Sequence, residues 1–321
     1  MHVFRPVLIV LLAAILSGPG ARAQTPAPKP QTLVVLLDWF VNPDHGPLIV
    51  AQERGYFRDA GLHVELIAPS DPNDPPKLVA AKRADLAISY QPSLTLHAAA
   101  GLPLARIATL VATPLNTLVV LADAPIRSLA DLRGRRIGFS VGGFEDALLG
   151  AMLARAGMTL SDVTLVNVNF ALSPALLAGR VDAVIGAFRN FELNQLALEG
   201  RPGRAFHPEA NGVPAYDELV VVAHRDRLRD PALRRFVDAL ERGTLSMIDD
   251  PEAAWALFVK ARPDLDTELN RRAWRDTLPR FAQAPAALDR ARYARFAEFL
   301  RGRGLLTTAP RLEDYAVELA W

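Results

Sequence analysis

The chain has 321 residues, 36 Lys+Arg against 35 Asp+Glu, half of its residues hydrophobic and no cysteine. That length suits two domains with separate cores, and the composition excludes a disordered chain. A near-neutral balance without a Lys/Arg run argues against nucleic acid as partner, and the missing cysteines exclude disulfides, thiolate metal sites and a lipoprotein anchor.

Residues 1–23 read as a secretory signal peptide. His2 and Arg5 give a weakly positive start, residues 7–16 are an apolar run too short to span a bilayer, and Ala21-Arg22-Ala23 is a small-x-small cleavage site before Gln24. An uncleaved anchor is the alternative. Removal of this segment takes away Arg5 and Arg22 and no acid, so the net charge goes from +1 to −1. The expected mature protein is free in the exported, periplasmic compartment. Residues 24–31 form a Pro-rich lead-in, expected to be flexible.

Strand-like runs follow at 33–37, 64–67, 86–89, 107–111, 118–121, 136–140, 164–169, 183–187 and 219–223. Helical patterns lie between many of them, at 47–53, 76–81, 144–156, 174–177 and 191–198. This alternation predicts an α/β protein with mostly parallel sheets covered by helices. From Pro231 onward the segments read as helices, at 231–248, 251–260, 267–277 and 288–300. Pro251 and Pro263 sit beside Asp residues, where helix starts are expected. One internal echo stands out: TLVVLAD at 117–123 and ELVVVAH at 218–224. The pair reads as two strands crossing between two lobes, with 32–121 plus 218–321 forming lobe 1 and 122–217 forming lobe 2. A single larger sheet is the alternative.

Candidate chemistry gathers where strands end. The first strand opens into Asp38-Trp39-Phe40-Val41-Asn42-Pro43-Asp44-His45, which collects a carboxylate, an indole, an amide and an imidazole. The carboxyl end of a strand is where open α/β sheets hold ligands, so this loop predicts a site for a small planar molecule. Trp39 would supply a stacking face and His45 a donor or acceptor; otherwise Trp39 fills a core and His45 caps the next helix. Gly142-Gly143-Phe144-Glu145 opens a helix after a strand, letting backbone approach a ligand, although Glu145 also suits the helix dipole. It lacks the Lys of a P-loop and the third Gly of a dinucleotide fingerprint. Phe188-Arg189-Asn190-Phe191-Glu192 ends another strand, and Asn190 and Glu192 could bond the amino and ring-nitrogen groups of a heterocycle; a solvated helix start is the bland alternative. Tyr90 and Tyr216 lie near strand ends as further aromatic walls or as interface tyrosines. No catalytic grouping emerges. His63, His97, His207 and His224 are isolated from one another, and Asp71 and Asp74 sit in a Pro-rich turn.

L-D-W-x-x-N-x-x-H followed by A-x-E-x-G-Y-F-x-x-x-G-L-x-V resembles the thiamine-pyrimidine-precursor family. That family includes periplasmic pyrimidine-binding proteins of ABC importers and fungal thiamine-pyrimidine synthases. The resemblance continues through PSDPND at 69–74, RADLAI at 83–88, LRGRRIG at 132–138 and GRVDA at 179–183, covering about residues 32–260. More distantly, the chain is similar to sulfonate and nitrate importer binding proteins. The family resemblance implies a two-lobed periplasmic binding protein with two interlobe crossing strands, type II-like. It makes Trp39, His45, Tyr90, Gly142, Gly143, Glu192 and Tyr216 pocket candidates, followed by Asn42, Phe188 and Asn190. The synthases consume a histidine and hold pyridoxal phosphate on a lysine; in register these positions are Ser93 and Ser89. They also carry a cysteine-rich iron-binding stretch, absent here. The resemblance therefore implies no enzyme activity, no cofactor and no metal. The resulting expectation is a monomeric exported protein. It would bind N-formyl-4-amino-5-aminomethyl-2-methylpyrimidine or its hydroxymethyl relative and pass it to an ABC permease for thiamine salvage. A flavin precursor or a sulfonate as ligand, and a pyrimidine-forming or hydrolytic enzyme, are the rivals.

Overall fold

The computed structural model describes residues 1–2 and 29–319. The signal-peptide reading beyond His2 and the lead-in up to residue 28 lie outside the described residues. Gln31, expected in the lead-in, already opens the first strand.

The chain begins with β1 (Gln31–Leu36), α1 (Gly46–Glu53), α2 (Tyr56–Asp59), β2 (Leu62–Ile67), α3 (Pro75–Ala80), β3 (Leu86–Ser89), α4 (Gln91–Ala99) and β4 (Leu104–Val111). It continues with β5 (Asn116–Leu121), β6 (Arg136–Phe139), α5 (Phe144–Arg155), β7 (Thr164–Asn167), α6 (Leu172–Leu177), β8 (Ala183–Phe188), α7 (Glu192–Leu198) and β9 (Gly203–Phe206). It ends with β10 (Leu219–His224), α8 (Pro231–Asp249), α9 (Pro251–Ala261), α10 (Glu268–Thr277) and α11 (Arg290–Gly302).

Two five-stranded sheets result, ordered β2-β1-β3-β10-β4 and β7-β6-β8-β5-β9. In the first, β1 runs parallel to β2 and β3, and β10 runs antiparallel to β3 and β4. In the second, β6 runs parallel to β7 and β8, and β5 runs antiparallel to β8 and β9. The fold is a two-lobed α/β architecture, and separate sheets replace the single-sheet alternative. The echo in the sequence now has a physical meaning. β5 and β10 fill the same slot in their respective sheets, the fourth strand, antiparallel to both neighbours. Such a slot is covered on both faces, and β10 is buried at every residue. Two near-identical apolar runs satisfy one requirement.

Sheet membership places the passage from lobe 1 to lobe 2 between Val111 and Asn116, ahead of residue 121, because the whole of β5 pairs in the second sheet. The return runs from Phe206 to Leu219. Glu218 joins the two passages: its Oε2 accepts the N–H groups of Leu115 at 2.6 Å and Asn116 at 2.9 Å.

The C-terminal helices close over lobe 1. Leu233, Phe236, Val237, Leu240, Thr244 and Met247 are buried along α8, an i, i+3, i+4 stripe characteristic of an amphipathic helix. The Asp230 side chain caps the helix on the N–H of Ala232. Gly243 lets α8 approach α1: a Cβ there would lie 2.4 Å from the Pro47 carbonyl oxygen. The helix that follows the loop after β1 is thereby seated on α8, the longest helix among the described residues.

Candidate functional site

The loop after β1 is shaped by a cap. The Asn42 side chain accepts the Asp44 N–H at 2.8 Å, and the Asn42 backbone N–H donates to the Nδ1 of His45 at 3.2 Å. With Nδ1 accepting, the proton of a neutral imidazole sits on Nε2, which donates to Asp38 Oδ1 at 3.0 Å. Tyr90, from the start of α4, donates its hydroxyl to Asp38 Oδ2 at 2.9 Å. Asp38 is thus fixed through both oxygens.

Against this loop lobe 2 brings the starts of α5 and α7 and the end of β8. Together they line a cavity open to solvent, about 430 Å³ with the open space counted, bordered by Asp38, Trp39, Asn42, Asp44, Tyr90, Val141, Glu145, Leu172, Gly186, Phe188, Phe191 and Glu192. Five of the expected site residues line it: Trp39, Asn42, Tyr90, Phe188 and Glu192. Trp39 crosses the seam and meets Phe170 edge-on at 4.6 Å, while Tyr90 stacks on Phe144 at 4.9 Å.

The other five sit elsewhere. His45 is fully buried behind Asp38 and positions it. Asn190 turns from the cavity wall and donates to Asp44 Oδ1 at 2.6 Å and Thr277 Oγ at 2.7 Å. Tyr216 is fully buried near the passage between the lobes, against Phe296. Gly142 lines a neighbouring cavity of about 370 Å³ and donates its N–H to Asn73. Gly143, at φ +89°, shapes the turn into α5 and lines neither cavity.

Among the described residues, four carboxyl groups line that cavity, from Asp38, Asp44, Glu145 and Glu192, and no Lys, Arg or His does. Burial pushes Glu192 up to about 7, against the pull of the Phe188 N–H it accepts at 2.7 Å. Burial also raises Asp44 to about 6 and holds Glu145 well above the usual carboxyl range. Gly186 makes room for Glu145: at φ +95°, a Cβ there would stand 2.3 Å from Glu145 Oε1. Glu145 was legible only as a helix-dipole residue, and the signal for its role is this glycine one strand away. Among the described residues no group of three or more metal-ligating side chains comes together.

The profile of the NMT1/THI5-like family matches residues 42–254. The chain belongs to this family. It is 51% identical over 301 residues to a Haemophilus influenzae protein named for thiamine biosynthesis, covering 94% of this chain and 96% of that one. It is 36% identical over 251 residues to the formylaminopyrimidine-binding protein of Halalkalibacterium halodurans, covering 77% and 76%. Among solved structures, the periplasmic aliphatic sulphonate binding protein of Escherichia coli superposes with a TM-score of 0.68 at 15% identity, over 92% of this chain and 94% of that one. The NMT1/THI5-like chain described here therefore has the fold of periplasmic binding proteins.

Proposed function

We propose that the protein is an exported solute-binding protein that takes up a thiamine pyrimidine precursor in the interlobe cavity and delivers it unaltered to an ABC permease. The observation that carries this reading is the cavity wall: aromatic side chains of Trp39, Tyr90, Phe188 and Phe191 stand beside carboxyl groups, with no basic side chain among the described residues. Such a wall stacks a planar ring and accepts N–H groups from its edge. An aminopyrimidine of the formylaminopyrimidine or hydroxymethylpyrimidine type meets both demands. The formylaminopyrimidine-binding relative supports the same ligand class.

A sulfonate is disfavoured, because its anionic group would face four carboxyls without a cation. Synthase chemistry is disfavoured by Ser89 and Ser93, the in-register positions of the reactive lysine and histidine, which line the neighbouring cavity. Calorimetry on the mature protein tests the reading. Heat of binding is expected with N-formyl-4-amino-5-aminomethyl-2-methylpyrimidine or 4-amino-5-hydroxymethyl-2-methylpyrimidine and none with an alkanesulfonate. Binding of the sulfonate alone, or conversion of the pyrimidine during incubation, would reject it. Mass spectrometry of the exported protein checks the address, with Gln24 expected as the first residue.

A further inference from the structure

Asp44 is only 1% exposed and forms part of the cavity wall. Its Oδ1 accepts from Asn190 of the other lobe at 2.6 Å and from Thr277 at 2.9 Å, while Oδ2 has no hydrogen-bond partner among the described residues. A buried carboxylate oxygen left without a donor is costly, and native structures seldom keep one without reason. Glu192 faces the same cavity from lobe 2, two residues beyond Asn190. The titratable and charged groups acting on Asp44 are His45 and Asp38 of its own loop, Glu192 from α7, and Arg280 beyond α10. His45 is committed to Asp38, and Arg280 bonds the Asp276 carbonyl and Thr113, so neither neutralises the cavity face of the pair.

We propose that Asp44 and Glu192 are a cross-lobe acceptor pair for two N–H groups on one ligand edge. Asn190 fixes Asp44 across the seam, and closure therefore selects an amino-bearing or amidine-like ring. This rests on the reading of the cavity as a pyrimidine site and adds the residue that sets its specificity. Closing the empty cleft brings two like-charged groups into one dry space, which requires them to take up protons. A ligand edge with two donors replaces those protons and holds both lobes at once. A ring that lacks the amino group offers no N–H on that edge and leaves both acids without the donors they accept.

Asp44→Asn tests this with little disturbance, because the amide keeps an Oδ1 for Asn190 and replaces Oδ2 with a donor. Calorimetry would compare 4-amino-5-hydroxymethyl-2-methylpyrimidine with the same ring lacking the 4-amino group. The variant is expected to lose roughly tenfold or more in affinity for the amino compound, and less than about threefold for the other. Equal losses, or no loss, with an unchanged melting temperature would overturn the pair. A second readout needs no ligand: small-angle scattering of empty Asp44→Asn/Glu192→Gln at pH 8. That double variant should be more compact than the empty wild type, and an equal radius of gyration would reject the pair. If the wild type takes neither pyrimidine, the ligand reading fails, and the scattering comparison still decides the acid pair.

Discussion

Trp39 belongs by sequence to lobe 1 and by packing to both lobes. Its indole lines the cavity and meets Phe170 of lobe 2. Trp39→Ala removes a stacking face and one side of the seam, so pyrimidine binding should weaken by roughly 1–3 kcal/mol in calorimetry, and unchanged affinity would remove the stacking role. Gly186 supports the site differently. Its φ of +95° suits glycine, and Glu145 Oε1 occupies the place of a Cβ at 2.3 Å. Gly186→Ala must strain the strand or drive Glu145 out of the wall; a stability loss of about 1–3 kcal/mol is expected by thermal unfolding, along with weaker binding. An alanine variant as stable and tight-binding as the wild type would show the carboxylate has other room. Residue types at strand ends were readable from the sequence; the direction of each side chain was not. His45 faces inward because Asn42 caps the turn, and the spacing Asn42-Pro43-Asp44-His45 is itself a capping-box signal with His at the third position. Asn190 reads in the sequence as a ligand-edge group, but Asp44 and Thr277, distant in sequence, claim its amide.

At the scale of elements, the passages between the lobes form a pinned hinge. Arg189 donates to the carbonyls of Leu115 at 3.3 Å and Asn116 at 3.2 Å, while Glu218 accepts the N–H groups of the same two residues. Arg189 also grips Glu209 of the return passage through both terminal nitrogens, at 2.6 and 3.0 Å. One short segment is thus held from its donor side and its acceptor side. Glu218 is fully buried, so Glu218→Ala would strip two buried backbone donors of their acceptor. A destabilisation of about 2–3 kcal/mol is expected in denaturant unfolding, and a change below about 0.5 kcal/mol would mean that the hinge is held elsewhere. The strands of both sheets were legible where apolar runs stood between turn residues. β9 was not, because Gly203–Phe206 is four residues long and half-buried throughout, with a glycine and an arginine in place of an alternating pattern. α4 escaped notice because Gln91 and Pro92 open it directly after β3, where a proline at the first turn resembles a loop.

For the whole molecule, the two-lobed plan was legible because the echo of β5 and β10 survives in sequence. The state of the cleft was not, since it depends on contacts between residues far apart in the chain. Besides the stack of Tyr90 on Phe144, three such groups of contacts join the lobes around the cavity. Phe40 and Trp39 pack on Phe170, Asn73 bonds the Ser140 carbonyl and the Gly142 N–H, and Asn190 and Asn194 reach Asp44 and Asp276. The cleft is closed. Asp44 and Glu192 are buried here, raised to about 6 and about 7 from ordinary values near 4, and burial holds Glu145 well above the usual carboxyl range. A carboxyl with a raised value in one state binds protons more tightly there, so protons favour the closed form. That contribution is complete below the ordinary carboxyl range and is lost as pH rises through about 6 to 7. Glu218 of the hinge is raised by burial to about 7 and titrates in the same window as the cavity acids, whereas Asp71, Asp131 and Asp162 are held below their usual range by hydrogen bonds and titrate too low to enter it. Scattering from the empty protein should therefore show a smaller radius of gyration at pH 5 than at pH 8, with the change centred between 6 and 7. Saturating aminopyrimidine should hold the compact radius across the range, because its N–H groups stand in for the protons. An empty protein with the same radius at both pH values would mean that the cavity acids do not govern closure. A ligand-bound protein that still expands at pH 8 would mean that the ligand's donors do not reach them.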